Sequence, residues 1–470
     1  MTEVEIPQSL RLIIGRRLAH LSAPTKQVLG PAAVIGRSFA FELLEASTRI
    51  DAESLLDYVE EAERAGLITA STEQGETRFQ FAHELVRQAV IANLSAPRLQ
   101  RIHLEIASAI ERMSTAGIET HVNDLAHHLW HAGTAARPER TIECLVLAAK
   151  QACGQSAYEA GLSHFGRALQ IIKKVAESTD RDRQEFEIYL EYLAVLSLTN
   201  RFTRAEVAVA HSRAQELCER LGEASRMYVV LQGSAGFHLR RGEYKKLHDC
   251  ATRILELSDN AANPTWAVSA HYLIGHSLCC LGDLVTAHEH LDLASTLVGP
   301  TPIPDIVTNT AKVCALAVDA LTLWTWGYPD RAKVRLDELL IFAEATKNPF
   351  DLAIALIYAH IVTLFRREFA QALSYADQGL RVASEKQFQW LETSLGWSRD
   401  ACRILAGASC DITKSQAAFE VYFGSEAKLY KPDNCTVLAE CCGCSWAARS
   451  WTSDDLRSIL SDERKRRKAM

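Results

Sequence analysis

The feature that most constrains this chain is a recurring helical frame. It is clearest in Arg240-Arg241-Gly242-Glu243-Tyr244-Lys245-Lys246-Leu247, followed by Ala251, Ile254 and Leu255. After the turn, apolar residues recur at offsets of three and four, which puts them on one face of a helix. Gly242 suits the φ > 0 position that ends the preceding helix. Gly282, Leu284, Ala287, Leu291 and Ala294 repeat the frame, as do Gly327, Pro329, Ala332, Leu336 and Leu339, and Phe369, Ala372, Ala376 and Leu380. Upstream copies are Tyr158, Gly161, Phe165, Ala168 and Leu169, and a sparser one at Phe202 and Ala205. The anchors Gly161, Ala205, Leu247, Ala287, Ala332 and Ala372 stand 40–45 residues apart. A period of this length predicts stacked helix pairs, because one pair cannot bury its apolar face alone. Pro138, Pro264, Pro300, Pro302, Pro304, Pro329 and Pro349 all fall at the expected joints, where proline does least harm to helices.

The frame resembles the second helix of a tetratricopeptide (TPR) repeat, G-x-(Y/F)-x-x-A-x-x-x-(Y/F/L)-x-x-A-L, with a period longer than the usual 34. The fold class expected is therefore all-α: a TPR-like right-handed α-solenoid. The chain has 470 residues, too many for one core. Its net charge of −7 and 48% apolar content exclude general disorder and a generally basic surface. No uncharged apolar run reaches the roughly 18 residues of a bilayer span. Residues 1–6 carry Glu3 and Glu5 and no apolar signal core, so a cytoplasmic location is expected. Nine of the 13 cysteines are scattered through helical pattern and read as small buried hydrophobes with free thiols.

Before the repeats the pattern changes. Residues 7–21 read as a helix, Ser22 caps a second with Pro24 in its first turn, a third covers 39–46, and Asp51 caps a fourth that stops at Gly66. Two β-like runs follow, 67–70 and 77–81, joined by a turn at 73–76. Helices followed by one β-hairpin is the order of a winged helix. In a DNA-binding version the 51–66 helix would enter the groove. Here it carries Asp51, Glu53, Asp57, Glu60, Glu61 and Glu63 against Arg64 alone. Phosphate repels such a helix, so protein docking is the expected role and nucleic acid is not an expected partner.

Several blocks resemble one family. They are Pro7-Gln8-Ser9-Leu10 through Arg17-Leu18, Ala32-Ala33-Val34-Ile35-Gly36, Phe81-Ala82-His83-Glu84-Leu85-Val86-Arg87 and Leu125-Ala126-His127-His128-Leu129-Trp130-His131-Ala132-Gly133. Together they resemble the bacterial STAND-class signalling ATPases (signal transduction ATPases with numerous domains), as in maltose-activator-like and LuxR-type regulators and cyclase-linked proteins. The resemblance covers roughly residues 7–383. It implies a winged helix at 1–113 with flanking helices, TPR-like repeats at 114–424, and an irregular tail at 425–470. In that family an ATPase domain precedes the winged helix. This sequence has no G-x-x-x-x-G-K-(S/T) loop to cradle phosphates. ATP or ADP would therefore enter only with an ATPase domain on another chain. The sequence reads as the back half of such a protein, a remnant or a truncated product.

Candidate site residues are few. The resemblance places His83 where a histidine of that class touches the diphosphate of bound ADP; the plainer reading is a cap at the hairpin-to-helix junction. His127 and His131 stand i,i+4, a spacing that can hold zinc. No glutamate lies between them and no third ligand is evident, so with His121 and His128 they read as packing and surface residues and no metal site is assigned. Cys435, Cys441, Cys442 and Cys444 lack the usual Cys-x2-4-Cys pairs of a zinc site. The run Arg464-Lys465-Arg466-Arg467-Lys468 reads as a solvated tail. Trp324, Trp326, Trp390 and Trp397 read as repeat packing or groove lining. No constellation for catalysis is present. The function expected is a non-catalytic sensor that binds a protein or small-molecule inducer in the repeats. The alternatives are a regulatory fragment of a multidomain ATPase, cyclase or kinase, and a DNA-binding transcription factor.

Overall fold

The computed structural model describes residues 16–73, 76–113, 121–197, 205–261 and 263–408. The expected tail, with Cys435, Cys441, Cys442, Cys444 and the basic run, lies outside them. The chain divides into two compact units, Met1–Val195 and Leu196–Met470.

The first unit opens on helix α1 (Ala23–Ile35), strand β1 (Ser38–Ala40), α2 (Phe41–Thr48), α3 (Ala52–Arg64), and the hairpin β2 (Ile68–Glu73) and β3 (Glu76–Phe81). Ser22 caps α1 by accepting from Thr25 N–H at 3.3 Å, and Asp51 caps α3 through Ser54 N–H at 2.9 Å. Leu55, Val59 and Ala62 form the buried stripe of α3. Gly66 follows with φ +65, as its place past the helix end requires. Glu61 ties α3 to the start of α1, accepting from Ser22 N–H and Ser22 Oγ at 2.7 Å each and from the Thr25 hydroxyl.

Residues 38–40 form a strand and the helix begins at Phe41, whereas the sequence pattern predicts a helix over 39–46. β1 pairs antiparallel with β3, Phe39 opposite Phe79, and the sheet order is β1-β3-β2. Extended backbone sends Phe39 into the core beside Phe79 and Phe81, with ring centroids 5.9 Å apart in both cases. The helices thus carry a small three-stranded antiparallel sheet, the hairpin with one short strand added to it. Helices α4 (Glu84–Ala92), α5 (Ala96–Met113), α6 (Val122–Ala132), α7 (Pro138–Gly154), α8 (Tyr158–Ile172) and α9 (Thr179–Ser197) follow. Gly161 lets α8 close on α7: a Cβ there would lie 2.4 Å from Cys153 Sγ.

The second unit is TPR-like, a run of helix pairs: α10 (Ala205–Leu221), α11 (Ala224–Arg241), α12 (Tyr244–Ala261), α13 (Pro264–Leu281), α14 (Leu284–Leu297), α15 (Ile306–Thr325), α16 (Pro329–Thr346), α17 (Pro349–Phe365), α18 (Phe369–Glu385) and α19 (Gln389–Leu405). Leu247, Ala287, Ala332 and Ala372 are fully buried, as the frame requires. Ala205 is exposed, and the buried face of α10 is instead Val207, Ala210, Ala214 and Leu217. The frame is off there because Ala205 is the first residue of its helix, ahead of the turn that packs. Gly242, Gly282 and Gly327 end their helices with φ +66, +93 and +94.

One continuous core runs from Val268 to Leu395. First helices α13, α15 and α17 pack on one another as well as on their own partners. One helix among the described residues, Ile306–Thr325, is long and apolar enough to cross a membrane. It is 72% buried between neighbours and carries Lys312 and Asp319, as a core helix does.

Candidate functional site

The layer of first helices in the second unit leaves one partly exposed stripe per helix. On α15 it is Thr310, Cys314, Leu321 and Trp324; on α17 it is Tyr358, Ile361 and Phe365; on α13 it includes Tyr272 and Cys279. The spacings keep each set on one helical face. Trp324 stacks on Phe365, centroids 4.7 Å apart and planes within 25°. Across α11 and α13, Tyr228 and Trp266 stack at 4.6 Å and 7°. The Tyr228 hydroxyl accepts from Gln232 Nε2 at 2.8 Å and lies 3.3 Å from Ser269 Oγ.

At the N-terminal ends of α15 and α17, away from the Trp324–Phe365 stack, sits a buried carboxylate. Asp351, in the first turn of α17, accepts from Thr310 Oγ1 at 2.6 Å through Oδ1, while its buried Oδ2 receives no donor among the described residues. The adjacent Cys314 thiol is pushed up to about 12, by burial first and by the Asp351 charge, against a hydrogen bond from Tyr272. It therefore stays a neutral thiol. A buried acceptor without a donor costs free energy, so Asp351 marks a place where a donating group would be welcome.

A second polar cluster locks the pairs together. Asp319 on α15, 1% exposed, takes His288 Nδ1 of α14 at 2.7 Å on Oδ1. Arg335 Nε of α16 stands 2.7 Å from Asp319 Oδ2. Its N–H is off the line to that oxygen, so this contact is coulombic. Arg335 also reaches Asp292 at 2.6 Å and Glu338 at 2.9 Å. Burial alone would lower the Arg335 pKa, but these carboxylates outweigh it and raise it. Lys312 likewise serves structure: Nζ donates to Val298 O and Gly299 O at 2.9 and 3.0 Å, closing the end of α14, and lies over the Phe342 ring.

In the first unit, His83 is the N-cap of α4, its Nδ1 accepting from Leu85 N–H at 3.2 Å. The rest of its motif is also structural. Phe81 is core, Glu84 pairs with Arg87, and Arg87 Nη1 donates to Ala33 O near the end of α1 at 3.0 Å. On α3, Asp51, Glu53, Asp57, Glu60 and Glu63 are exposed, a face that phosphate would avoid. A cleft of about 990 Å³ between α1, α4 and α5 is lined in part by Lys26, Arg98, Arg101 and Glu105.

The histidines are where the structure adds most. His127, His128 and His131 on α6 meet His103 of α5, a residue the sequence reading did not select. His103 Nδ1 lies 2.9 Å from His128 Nδ1. Ring centroids are 5.1 Å apart for His103 and His131 and 4.5 Å for His127 and His131. One nitrogen from each of His103, His127 and His128 falls within 4.8 Å of the others. Burial, then the neighbouring rings, push His103 down to about 4 and His128 to about 3. His121 precedes α6, exposed and without a side-chain cap bond. The missed signal was Arg101-Ile102-His103, where a polar residue interrupts the apolar stripe of α5 at a position the helix period buries.

The fold is that of a TPR-like helical repeat protein with a small three-stranded sheet near its N-terminal end. No family profile matches the sequence. The chain is 22% identical over 370 residues to an uncharacterized protein of Rhizobium meliloti (strain 1021). That match takes in 76% of this chain and 35% of the relative, so the chain spans about a third of that protein's length. Among solved structures, the chain is similar to a Signal Transduction ATPase with Numerous Domains (STAND) protein with a tetratricopeptide repeat sensor from Pyrococcus horikoshii. There the TM-score is 0.38 at 12% identity, over 94% of this chain and 68% of that one. It is also similar to the apo form of RapI (TM-score 0.44, 13% identity, 62% and 99% covered) and to NprR in complex with its cognate peptide NprX (0.38, 12%, 81% and 96%).

Proposed function

We propose that this chain is a non-catalytic sensor of STAND-type signalling, which holds a protein segment or small inducer on the first-helix face of its repeats. The observation that carries the reading is that face itself: half-exposed aromatic residues, with the Trp324–Phe365 stack at one end of α15 and α17 and Asp351, whose second oxygen awaits a donor, at the other, about 21 Å away along the helices. Aromatic side chains give contact area at low entropic cost, and one buried acceptor gives selectivity for a donor-bearing ligand. The motif blocks at 7–18, 32–36, 81–87 and 125–133 support the STAND context. In that context the winged helix docks against an ATPase domain on another polypeptide or elsewhere in a longer one, and any ATP or ADP is bound there.

The test is selection of phage-displayed random peptides on the full chain. Enriched peptides carry an aromatic residue and a cationic or amide donor. Their affinity falls at least tenfold for Asp351→Asn and for Trp324→Ala, and is unchanged for Val334→Ala, whose side chain is 70% exposed on α16. Equal binding to all four proteins, or no enrichment, overturns the peptide reading. A second reading is that this block is the regulatory part of a larger ATPase or cyclase. It is favoured by the 35% coverage of the longer relative. In that case, adding the chain to the catalytic part changes its turnover.

A further inference from the structure

We propose that His103, His127, His128 and His131 bind one divalent transition-metal ion, zinc in the first instance, and that this ion staples α5 to α6. Zinc holds imidazole nitrogens at about 2.0–2.1 Å, so tetrahedral ligand atoms stand roughly 3.4 Å apart. Here the closest nitrogen pair is 2.9 Å apart and the three-ring set lies within 4.8 Å. Loading an ion therefore requires side-chain rotations that open the 2.9 Å pair and draw the wider pairs together. His131, with its ring beside both His103 and His127, stands outside that three-nitrogen set and becomes the fourth ligand only on rotation of its side chain.

Packing alone accounts poorly for the same residues. His103 and His128 are 7% and 4% exposed and point nitrogen at nitrogen, a contact that needs a proton on one ring and none on the other. Among the described residues no carboxylate hydrogen-bonds to any of the four rings. An apolar side chain would fill these positions at lower cost.

An all-imidazole donor set selects zinc, copper, nickel or cobalt over magnesium and calcium, which take oxygen. His127 and His131 are exposed, which leaves an entry path. The adverse feature is Arg167. Its guanidinium sits over Trp130 at 5.4 Å, close enough for its charge to act on His127 and His131. Asp124 offsets it at His127. The site is thus set for an ion of moderate affinity that can exchange.

The experiment uses the full chain, stripped with EDTA and dialysed. Zinc is titrated against a chromophoric chelator, bound metal is counted by mass spectrometry, and cobalt is added separately. The expected result is one zinc per chain, a visible cobalt spectrum of tetrahedral intensity, and a zinc-dependent rise in Tm. His127→Ala, at an exposed position that the fold tolerates, weakens binding at least tenfold; His103→Ala abolishes it, with circular dichroism confirming the helices. A variant with Cys435, Cys441, Cys442 and Cys444 all changed to serine keeps the zinc. Absence of stoichiometric zinc, unchanged affinity in His127→Ala, or loss of the metal with the tail cysteines would each overturn the proposal.

Discussion

At the scale of single residues, the polar groups inside the helices divide into those with partners and those that wait for one. Asp319 has partners, and its removal is expected to be severe. Asp319→Asn leaves Arg335, itself only 15% exposed, without its innermost countercharge. Breaking a buried pair on one side costs about 3 kcal/mol or more. Urea midpoints of the variant should show that loss, and Asp319→Asn combined with Arg335→Met should recover part of it. His276 has burial as the one cause of its shift. Burial pushes it down to about 4, with Tyr272 Oη at 3.4 Å beside it. Between pH 6.5 and 4 the unfolded ring takes a proton that the native ring refuses, so stability falls as pH drops through that window. Above pH 6.5 this group contributes nothing. The loss is about 2 kcal/mol at pH 5. Urea unfolding at pH 7.5 and 5 should show a smaller drop for His276→Gln than for wild type. His83 offers a sharper discrimination. If its role is the cap on α4, His83→Ala costs about 1 kcal/mol and His83→Ser restores it. A nucleotide contact would not be rescued by serine, so ADP affinity in the presence of an ATPase fragment separates the two roles.

At the scale of elements, the decisive feature is how closely paired helices approach. A Cβ on Gly275 would meet Leu291 Cγ at 2.5 Å and the backbone Ala287 O at 3.0 Å, so α13 and α14 touch through this glycine. Gly275→Ala forces them apart and is expected to cost about 1–3 kcal/mol, read as a fall in Tm. Gly396→Ala, with open space around it, should leave Tm nearly unchanged. The helices themselves were legible, because buried positions recur with the helical period and helix-ending glycines mark the joints. Leu247, Ala287, Ala332 and Ala372 confirm that rule, and Ala205 shows its limit where only two residues, Phe202 and Ala205, define a copy. Strand β1 was not legible. Three residues carry no period, and Ser38-Phe39-Ala40 is extended only because β3 lies beside it. The same holds for His103. Its partners stand 24 to 28 positions away in the sequence, and only the packing of α5 on α6 brings them together. Asp351 was invisible for a related reason: a lone aspartate in a first turn looks like any helix start until its neighbours bury it.

At the scale of the whole molecule, the second unit tests whether its repeats behave as separate modules or as one body. Its core is continuous from Val268 on α13 to Leu395 on α19, and each helix pair borrows part of its burial from the next. Leu336 on α16 is fully buried within that core. Leu336→Ala removes contacts worth about 2–5 kcal/mol. In a linear array each repeat is held largely by its neighbours, so damage at one interface spreads along the chain. Hydrogen exchange should therefore accelerate in α15, α16 and α17 together, and in α13 and α18 to a smaller degree, with urea unfolding of the unit remaining a single transition. Faster exchange confined to α16, with α13 and α18 unmoved, would mean that each pair stands on its own. That outcome would also weaken the sensor reading, since a ligand seated over Asp351 could then stiffen only the pair it touches, whereas a continuous core passes the added stability to every repeat it joins.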